Sequence, residues 1–565
     1  MPTDGRVRAG IVICPPLGKE HVDSYRGLKL LAQKLAAAGF AVVRFDYLGT
    51  GDSAKNQGAD SAISDLGSSL AEAVDYLRSS GAQRISLIGL RMGALVAALA
   101  ASSVPELCNL VLWDPVFDGR RYLREQRVLY RMTVGDDVVA ADGESILGLT
   151  FSPVAARELK TLQIPADLVP GIPTLALVRP ERVADERVKA LSAIPMCTVE
   201  EAPEQVAFVE PASFVVAIPV RTVESIVTWL DANTSRDTAA FAPTITRRAV
   251  VAGSGTGRQI VETLEKVGPN RLFAIRTVPA GVAADRPTLI THSTAAEHRI
   301  GAGRVWTESA RELAGLGMAA LRYDRRGVGD TGVITTAFPR IYSDLSKQDI
   351  ADAADAAGVP ADHLMMAGVC SGAWSAAYGG IIKGAKAVVL VNVILYVLRK
   401  TEVGPERLIG MTPPNPGGVS EPAAQTLKAR AKDLVRRRLP YRLWLLLGKL
   451  GKAQVPEVLL AELRRMNVST ELLLSPEDHA WFEKQRGWES LTRVSDALWA
   501  PRVIPAPGGD HPLLQRGIQN FTRETLVRIA IRDFGELLQA SGTAVFEEGD
   551  DVGSARARKA SAPGQ

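Results

Sequence analysis

The sequence is poor in the residue types that build metal centres and disulfide frameworks. Its 565 residues include six histidines and four cysteines, and the cysteines lie far apart at Cys14, Cys108, Cys197 and Cys370. This spacing lacks the close pairs that are typical of zinc ligands, and it gives no disulfide pattern. We therefore expect no metal and no other cofactor, and a reducing cytoplasm is the expected location.

An excess of one charge and long apolar runs are also missing. The net charge of +4 is small for 565 residues, which argues against nucleic acid as a partner. No apolar run reaches the roughly eighteen residues of a membrane span, and the N-terminus lacks the sections of a signal peptide. With 46% hydrophobic and 23% charged residues, the composition predicts a soluble protein with room for two α/β cores. The oligomeric state is left open.

The most informative motif that is present is Gly368-Val369-Cys370-Ser371-Gly372. Residues 364–367 predict a buried strand, and the small residues from 373 onward predict a helix. In such a strand-turn-helix motif the central residue lies on a tight turn and points into a site. Cys370 is therefore a candidate nucleophile, although a buried, inert thiol is the alternative for an isolated match.

Two later motifs supply a base and an acid in the order nucleophile, acid, histidine. Residues 471–475 and 502–506 predict strands, and Asp478 and His511 follow them closely. Because the carboxyl ends of parallel strands share one edge of a sheet, these side chains are expected to meet Cys370. His511 is the predicted base and Asp478 the predicted acid, with the adjacent Glu477 as the alternative acid.

These motifs resemble the α/β-hydrolase fold family from about residue 236 to 540. In this family the strand-turn-helix motif at residues 368–372 is called the nucleophile elbow. Residues 288–292 and 319–323 predict the strands before this elbow, and residues 324–331, DRRGVGDT, resemble the family's D-x-x-G-x-G-x-S turn. The resemblance implies an oxyanion hole made by the backbone N–H of Ser371 and a second N–H from Ser293 or Thr294.

The first half of the chain repeats this organisation. Residues 42–53, VVRFDYLGTGDS, match residues 320–331, and residues 85–94, ISLIGLRMGA, match residues 364–373. Arg91 stands where the second half has Cys370, and a guanidinium is no nucleophile at neutral pH. The only histidine before residue 292 is His21, so the strand predicted at residues 214–218 has no base after it within the first half. The first half is therefore expected to be inactive, with Arg91 either paired to Asp114 or Asp46 or binding an anion.

The predicted fold class is α/β, with two tandem α/β-hydrolase-like domains that each have a mostly parallel central sheet flanked by helices. The GLRMG elbow of the first half resembles that of hydrolase-like proteins from bacterial exopolysaccharide and natural-product loci. The predicted boundaries are residues 1–235 for the degenerate domain, 236–245 for a linker, 246–540 for the catalytic domain and 541–565 for a disordered tail. Residues 253–257, GSGTG, match neither phosphate-binding fingerprint completely, and they predict a hairpin turn.

A helical cap is predicted at about residues 395–467. Its basic run includes Arg436 and Arg437, and Trp444 lies on an apolar stretch beside it. Either this is a solvated helix with a buried stripe, or it binds an acyl chain on an anionic carrier such as coenzyme A or an acyl carrier protein. A Pro- and Gly-rich segment at residues 413–418 is a candidate gate.

Together these patterns predict an acyl-transfer enzyme with a Cys-His-Asp triad. An acyl-cysteine would form from an ester or thioester and pass to water, an alcohol or an amine, as in a hydrolase, thioesterase or acyltransferase of bacterial biosynthesis. A non-catalytic binding or assembly protein with the same fold is the alternative.

Overall fold

The computed structural model describes residues 5–135, 143–166, 168, 171–210, 214–252, 258–281, 286–398, 436 and 438–539. Within these ranges the chain forms two large sheets, one of six strands in the first half and one of nine strands in the second half. The boundary between them follows the helix Val220–Asn233, and the second sheet begins at Arg248–Ala252.

All neighbouring strands of the first sheet are parallel. In spatial order they are Ala41–Arg44, Gly10–Cys14, Ile85–Leu90, Leu107–Trp113, Thr174–Val178 and Cys197–Glu201. The interior strands are almost entirely buried, because helices cover both faces of the sheet.

The second sheet combines an antiparallel edge with a parallel centre. Its first four strands pair antiparallel, and the remaining strands run parallel to one another. In spatial order they are Arg248–Ala252, Gln259–Val267, Leu272–Pro279, Ala319–Tyr323, Thr288–His292, Leu364–Val369, Ala387–Val391, Ser469–Leu474 and Arg502–Pro505.

Helices flank both sheets. In the first half they are Lys19–Ala37, Ala62–Ser79, Met92–Ala100, Gly119–Val134, Pro153–Leu159, Glu186–Ser192, Val206–Val209 and Val220–Asn233. In the second half they are Val305–Gly315, Asp344–Ala356, Ser371–Lys383, Tyr441–Lys449, Pro456–Arg465, Pro476–Lys484, Gly487–Val494 and Arg516–Gln539. Two short antiparallel pairs complete the described strands, Arg6–Val7 with Ala239–Ala240 and Glu144–Ile146 with Leu149–Phe151.

The strands that were predicted around the site are confirmed, with small shifts at their ends. Thr288–His292 and Ala319–Tyr323 have the predicted bounds, and the elbow strand extends to Val369. The strand predicted at residues 214–218 is wrong, because that segment is irregular and the last strand of the first sheet is Cys197–Glu201.

Several predictions concern the segments between and after the domains. The predicted linker at residues 236–245 includes Ala239–Ala240, which pairs with Arg6–Val7 and so joins the edge of the first half. Residues 253–257, most of the predicted cap including the segment 413–418, and the tail at 541–565 lie outside the described residues.

The two halves pack together through their equivalent Asp-Gly turns. Arg322 of the second half binds the Asp52 carboxylate of the first, and Arg44 of the first half binds the Asp330 carboxylate of the second. Arg299 joins both sides, with Nη2 2.8 Å from Asp52 Oδ2 and Nη1 3.1 Å from Asp330 Oδ2. The contact is therefore reciprocal, with each half giving an arginine to the turn of the other.

Glycine is required at the same place in both turns. Gly51 and Gly329 have φ of 51° and 49°, and a Cβ on either would lie about 2 Å from the carboxylate of Asp46 or Asp324. The Asp46 carboxylate accepts the backbone N–H of Asp52 at 2.9 Å, and the Asp324 carboxylate accepts that of Asp330 at 2.8 Å. This local geometry directs the two interfacial carboxylates toward the opposite half.

Candidate active site

Cys370 lies on a sharp turn between the strand Leu364–Val369 and the helix Ser371–Lys383, named here the elbow helix. Its backbone has φ 54° and ψ −113°, and its N–H donates to the carbonyl of Val391 at 2.9 Å. A Cβ on Gly372 would lie 2.1 Å from the carbonyl oxygen of His292, so only glycine permits this close approach. The turn leaves the free thiol of Cys370 partly exposed.

His511 and Asp478 meet at the carboxyl edge of the second sheet. His511 Nδ1 lies 2.8 Å from Asp478 Oδ1, and the other carboxylate oxygen accepts the Ser475 hydroxyl at 2.5 Å. Both side chains are buried. Because Nδ1 faces a carboxylate, the neutral imidazole favours the tautomer that carries its proton on Nδ1, and in that form the lone pair is on Nε2.

The electrostatic surroundings of His511 connect it to Cys370. Burial lowers the pKa of His511, but the negative charges of Asp478 and Cys370 outweigh burial and raise it well above its usual value. His511 Nε2 is buried and makes no hydrogen bond of ordinary length with any described residue. The Cys370 sulfur nevertheless lies near enough for its charge to act on the imidazole, so the structure brings all three predicted triad residues together.

Asn392 also holds this part of the site, although sequence reasoning did not identify it. It is fully buried, has φ 50°, and accepts the N–H of Ser475 at 2.8 Å through its side-chain oxygen. Its Nδ2 donates to the carbonyl of His511 at 2.8 Å. One side chain therefore joins the loop of the acid to the loop of the histidine. The available signal was a polar residue directly after the apolar strand Ala387–Val391.

Glu477, the alternative acid, does not contact His511 in the way that Asp478 does. Burial raises the pKa of Glu477 to about 7, and the negative charge of Asp478 adds to this effect. One of its carboxylate oxygens is buried and has no hydrogen-bond partner among the described residues. Asp478 is accordingly the carboxylate that contacts the imidazole, and its role as the orienting acid remains a prediction.

The loop after the strand Thr288–His292 packs against the first residue of the elbow helix. The hydroxyls of Thr294 and Ser371 are 3.1 Å apart, and the N–H of Ala295 donates to the Ser371 hydroxyl at 2.9 Å. Ser293 uses its hydroxyl to bind the carbonyl of His298 at 2.9 Å. The structure thus brings Ser371, Ser293 and Thr294 together, and their role in an oxyanion hole remains a prediction.

The cap residues show packing contacts in the described part of the chain. Trp444 is 6% exposed, packs with Tyr441 and Val455, and donates to the carbonyl of Gln485 at 3.4 Å. The Arg436 guanidinium lies 5.9 Å from the Trp444 ring centroid, and Arg437 lies outside the described residues. These contacts favour a buried stripe for Trp444, and substrate binding by the three residues remains a prediction.

Arg91 occupies the equivalent turn of the first half, with φ 55° and ψ −116°. Its guanidinium is buried and lies 3.2 Å from Glu20, 3.5 Å from Asp114 and 3.7 Å from Glu210. The predicted pairing with Asp114 is therefore confirmed, whereas Asp46 lies 3.2 Å from His21 instead. Three carboxylates around one guanidinium leave little positive charge for an anion.

A search for membrane-spanning helices among the described residues found none of sufficient length and apolar character. Comparison with curated proteins gave no match.

Residues 5–136 match the family model described as serine aminopeptidase, S33. Among solved structures, an esterase domain of a Rhodothermus marinus protein is 16% identical, with 41% of this chain and 90% of that chain covered and a TM-score of 0.29. Est1E from Butyrivibrio proteoclasticus with bound ferulic acid is 16% identical, with coverages of 41% and 92% and a TM-score of 0.31. An acetyl xylan esterase from Paenibacillus sp. R4 is 13% identical, with coverages of 53% and 90% and a TM-score of 0.31.

The family match lies in the half of the chain that has the arginine turn, and it supports an α/β-hydrolase family. The two sheets described above are mostly parallel and flanked by helices, with a strand-turn-helix elbow in each half. The chain therefore has the α/β-hydrolase fold.

Proposed function

We propose that this protein is an acyl-transfer enzyme in which Cys370 is the nucleophile, His511 the base and Asp478 the orienting acid. The observation that supports this most directly is the 2.8 Å contact between His511 Nδ1 and Asp478 Oδ1 beside a cysteine on an elbow turn. Each group has the surroundings that its role needs: a partly exposed thiol, a buried imidazole whose charged form is stabilised by Asp478 and Cys370, and a buried carboxylate.

In the first step the proton of the Cys370 thiol passes to His511 Nε2, or is already held there in a thiolate–imidazolium pair, and the sulfur attacks the carbonyl carbon of an ester or thioester. The π electrons of the carbonyl move to its oxygen, which becomes an oxyanion that backbone N–H groups of Ser371 and the Ser293–Thr294 loop stabilise. When the intermediate collapses, the leaving group departs with the proton that His511 held, and Cys370 carries the acyl group.

In the second step His511 accepts a proton from water, an alcohol or an amine while that molecule attacks the acyl-cysteine. The Cys370 thiolate then leaves and regains the proton. A thioester intermediate keeps a good leaving group, so this nucleophile suits transfer and thioester exchange as well as hydrolysis. Hydrolase, thioesterase and acyltransferase activities all follow from the same arrangement, and none of these steps uses a cofactor.

The two halves are proposed to be fused copies of one domain that differ in chemistry. A buried arginine replaces the nucleophile in the first, which therefore contributes stability or a docking surface rather than catalysis. The cap of the second half is proposed to choose the acyl substrate, including one carried by coenzyme A or an acyl carrier protein.

Mass spectrometry of the intact protein with peptide mapping tests this function. The protein is exposed to a panel of acyl thioesters and activated esters, next to Cys370→Ala and the control Cys197→Ala, which removes a partly exposed thiol of the first half. We expect an acyl adduct on Cys370 in the wild type and in Cys197→Ala, and none in Cys370→Ala. Absence of both an adduct and turnover across the panel would favour the alternative, a binding or assembly protein.

A further inference from the structure

Tyr342 is a buried tyrosine in the segment that leads into the helix Asp344–Ala356. It is 1% exposed, and its ring meets the ring of Trp374 edge-on with centroids 5.2 Å apart and an interplanar angle of 89°. Ala295 and Ile341 belong to the same hydrophobic cluster. The ring is therefore fixed between the loop after the strand Thr288–His292 and the elbow helix.

The hydroxyl of Tyr342 has no hydrogen-bond partner in the part of the chain that the structure describes. A buried tyrosine hydroxyl usually finds a partner, because leaving it unpaired costs free energy that a phenylalanine ring in the same space would not. The ring packing alone does not account for this oxygen, and no described residue competes for its proton.

Two neighbours of Tyr342, Trp374 and Ala295, contact the turn that carries the nucleophile. Trp374 lies in the first turn of the elbow helix, and its backbone N–H faces the carbonyl of Cys370 at 3.4 Å. Ala295 binds the hydroxyl of Ser371, the residue after the nucleophile. Burial raises the pKa of Tyr342 well above its usual value, and the negative charge of Cys370 raises it further. The phenol therefore stays protonated and can act only as a neutral donor at ordinary pH.

We propose that the Tyr342 hydroxyl donates a hydrogen bond to the oxyanion that forms when Cys370 attacks an acyl group. This inference rests on the proposed function and adds a side-chain donor to the two backbone donors expected there. No proton is transferred: the carbonyl oxygen gains the electron pair, and the phenol O–H approaches it while keeping its proton. A hydrogen-bond donor that is already positioned and shielded from water stabilises this negative charge without reorganisation of the site.

Steady-state kinetics with an acyl thioester that acylates Cys370 tests the inference in the full-length protein. The variant is Tyr342→Phe, which keeps the ring, and the control is Tyr47→Phe, another fully buried tyrosine that lies in the first half. We expect kcat/KM to fall by about 10²- to 10³-fold in Tyr342→Phe, as it does when one oxyanion donor is removed, and to be unchanged in Tyr47→Phe. Circular dichroism and thermal melting compare the folding of the variants.

A second readout separates the oxyanion from the thiolate as the acceptor. The rate at which iodoacetamide alkylates Cys370 is measured against pH, and Tyr342→Phe is expected to leave this profile unchanged. A folded Tyr342→Phe with wild-type turnover would overturn the inference, and so would a profile displaced to higher pH, because the hydroxyl would then stabilise the thiolate. If the wild type itself is never acylated, the proposed function fails and the inference with it; if only the variant result fails, the proposed function stands.

Discussion

At the residue scale, adjacent carboxylates have different surroundings and therefore different expected roles. Asp478 accepts hydrogen bonds from His511 and Ser475, whereas Glu477 keeps a buried oxygen without a described partner. A carboxylate in the first environment can hold an imidazole in one tautomer and stabilise its charged form. For one in the second, burial raises the pKa and so favours the neutral form.

Asp478→Asn and Glu477→Gln form a matched pair that tests this difference. We expect Asp478→Asn to lower kcat by about 10⁴-fold, because an amide can bind the wrong imidazole tautomer. Glu477→Gln is expected to stay close to the wild type. Turnover of both variants on an acyl thioester is the measurement, and the reverse ranking would make Glu477 the acid.

Glu477→Gln also has an expected effect on pH-dependent stability. The pKa of Glu477 is about 7 in the folded protein, above its value in an unfolded chain. Between these two values the folded state binds more protons, so stability falls as pH rises and the penalty is complete above pH of about 7. We expect Glu477→Gln to melt at a higher temperature than the wild type at pH of about 8, with the difference shrinking towards pH of about 4.

Thermal melting across this pH range makes the comparison. The control is Glu524→Gln, which changes an exposed glutamate on the helix Arg516–Gln539. A difference from the wild type that does not vary with pH would contradict the expectation.

At the element scale, the site depends on how loops at the ends of three strands are joined. Asn392 follows the strand Ala387–Val391, Ser475 the strand Ser469–Leu474, and His511 the loop beyond Arg502–Pro505. The Asn392 amide bonds to the other two loops with both of its polar groups. The separation between acid and histidine is thus set from a third, neighbouring strand.

Asn392→Asp tests this connection without a change of size. Aspartate tolerates the same positive φ and keeps the acceptor for Ser475, but as a carboxylate it loses the donor to His511 and adds a buried negative charge. We expect a loss of about 3–5 kcal/mol in the free energy of unfolding, because that charge is left unpaired and the His511 carbonyl loses its donor, together with a lower kcat.

Thermal melting and turnover are measured together for this variant. Asn467→Asp is the control, since Asn467 has a φ of 53° but an exposed side chain. Equal behaviour of the two variants would mean that the loops are held in another way.

At the scale of the whole molecule, charged side chains of the first half pair with charged side chains of the second half. Burial raises the pKa of the Asp52 carboxyl, but the positive charges of Arg299 and Arg322 outweigh burial and lower it far below its usual value. Arg322 itself is completely buried. Removing one member of such a group leaves the charge of its partners buried and uncompensated.

We therefore expect Asp52→Asn to lower the free energy of unfolding by about 3–5 kcal/mol, the usual cost of breaking a buried ion pair. Differential scanning calorimetry and protease sensitivity of residues 236–245 are the measurements. The control Asp60→Asn changes an exposed aspartate of the same half. Equal melting of the two variants would show that the contact between the halves does not depend on this charge.

The sequence was sufficient for the strand ends that deliver Cys370, Asp478 and His511, because each follows a short apolar run and parallel strands place such ends at one edge. The sequence did not predict the edge strand Cys197–Glu201, because this strand is half-exposed and contains charged residues. The apolar residues 214–218 were predicted as a strand instead, but they are irregular. Contacts such as Tyr342 with Trp374 depend on side-chain packing across distant segments, which no local pattern encodes.

The reciprocal Arg–Asp contact has a consequence for how the chain is made. Arg44 and Asp330 are 286 positions apart, so a ribosome releases the whole first sheet before the partner of its Asp-Gly turn exists. During that interval the surface around Arg44 and Asp52 is charged and hydrated rather than apolar. Such a surface limits the aggregation to which incomplete multidomain chains are prone. The charged residues of this interface cost free energy when they are desolvated in the finished protein, but they keep the exposed surface of the first half soluble while the second half is being made.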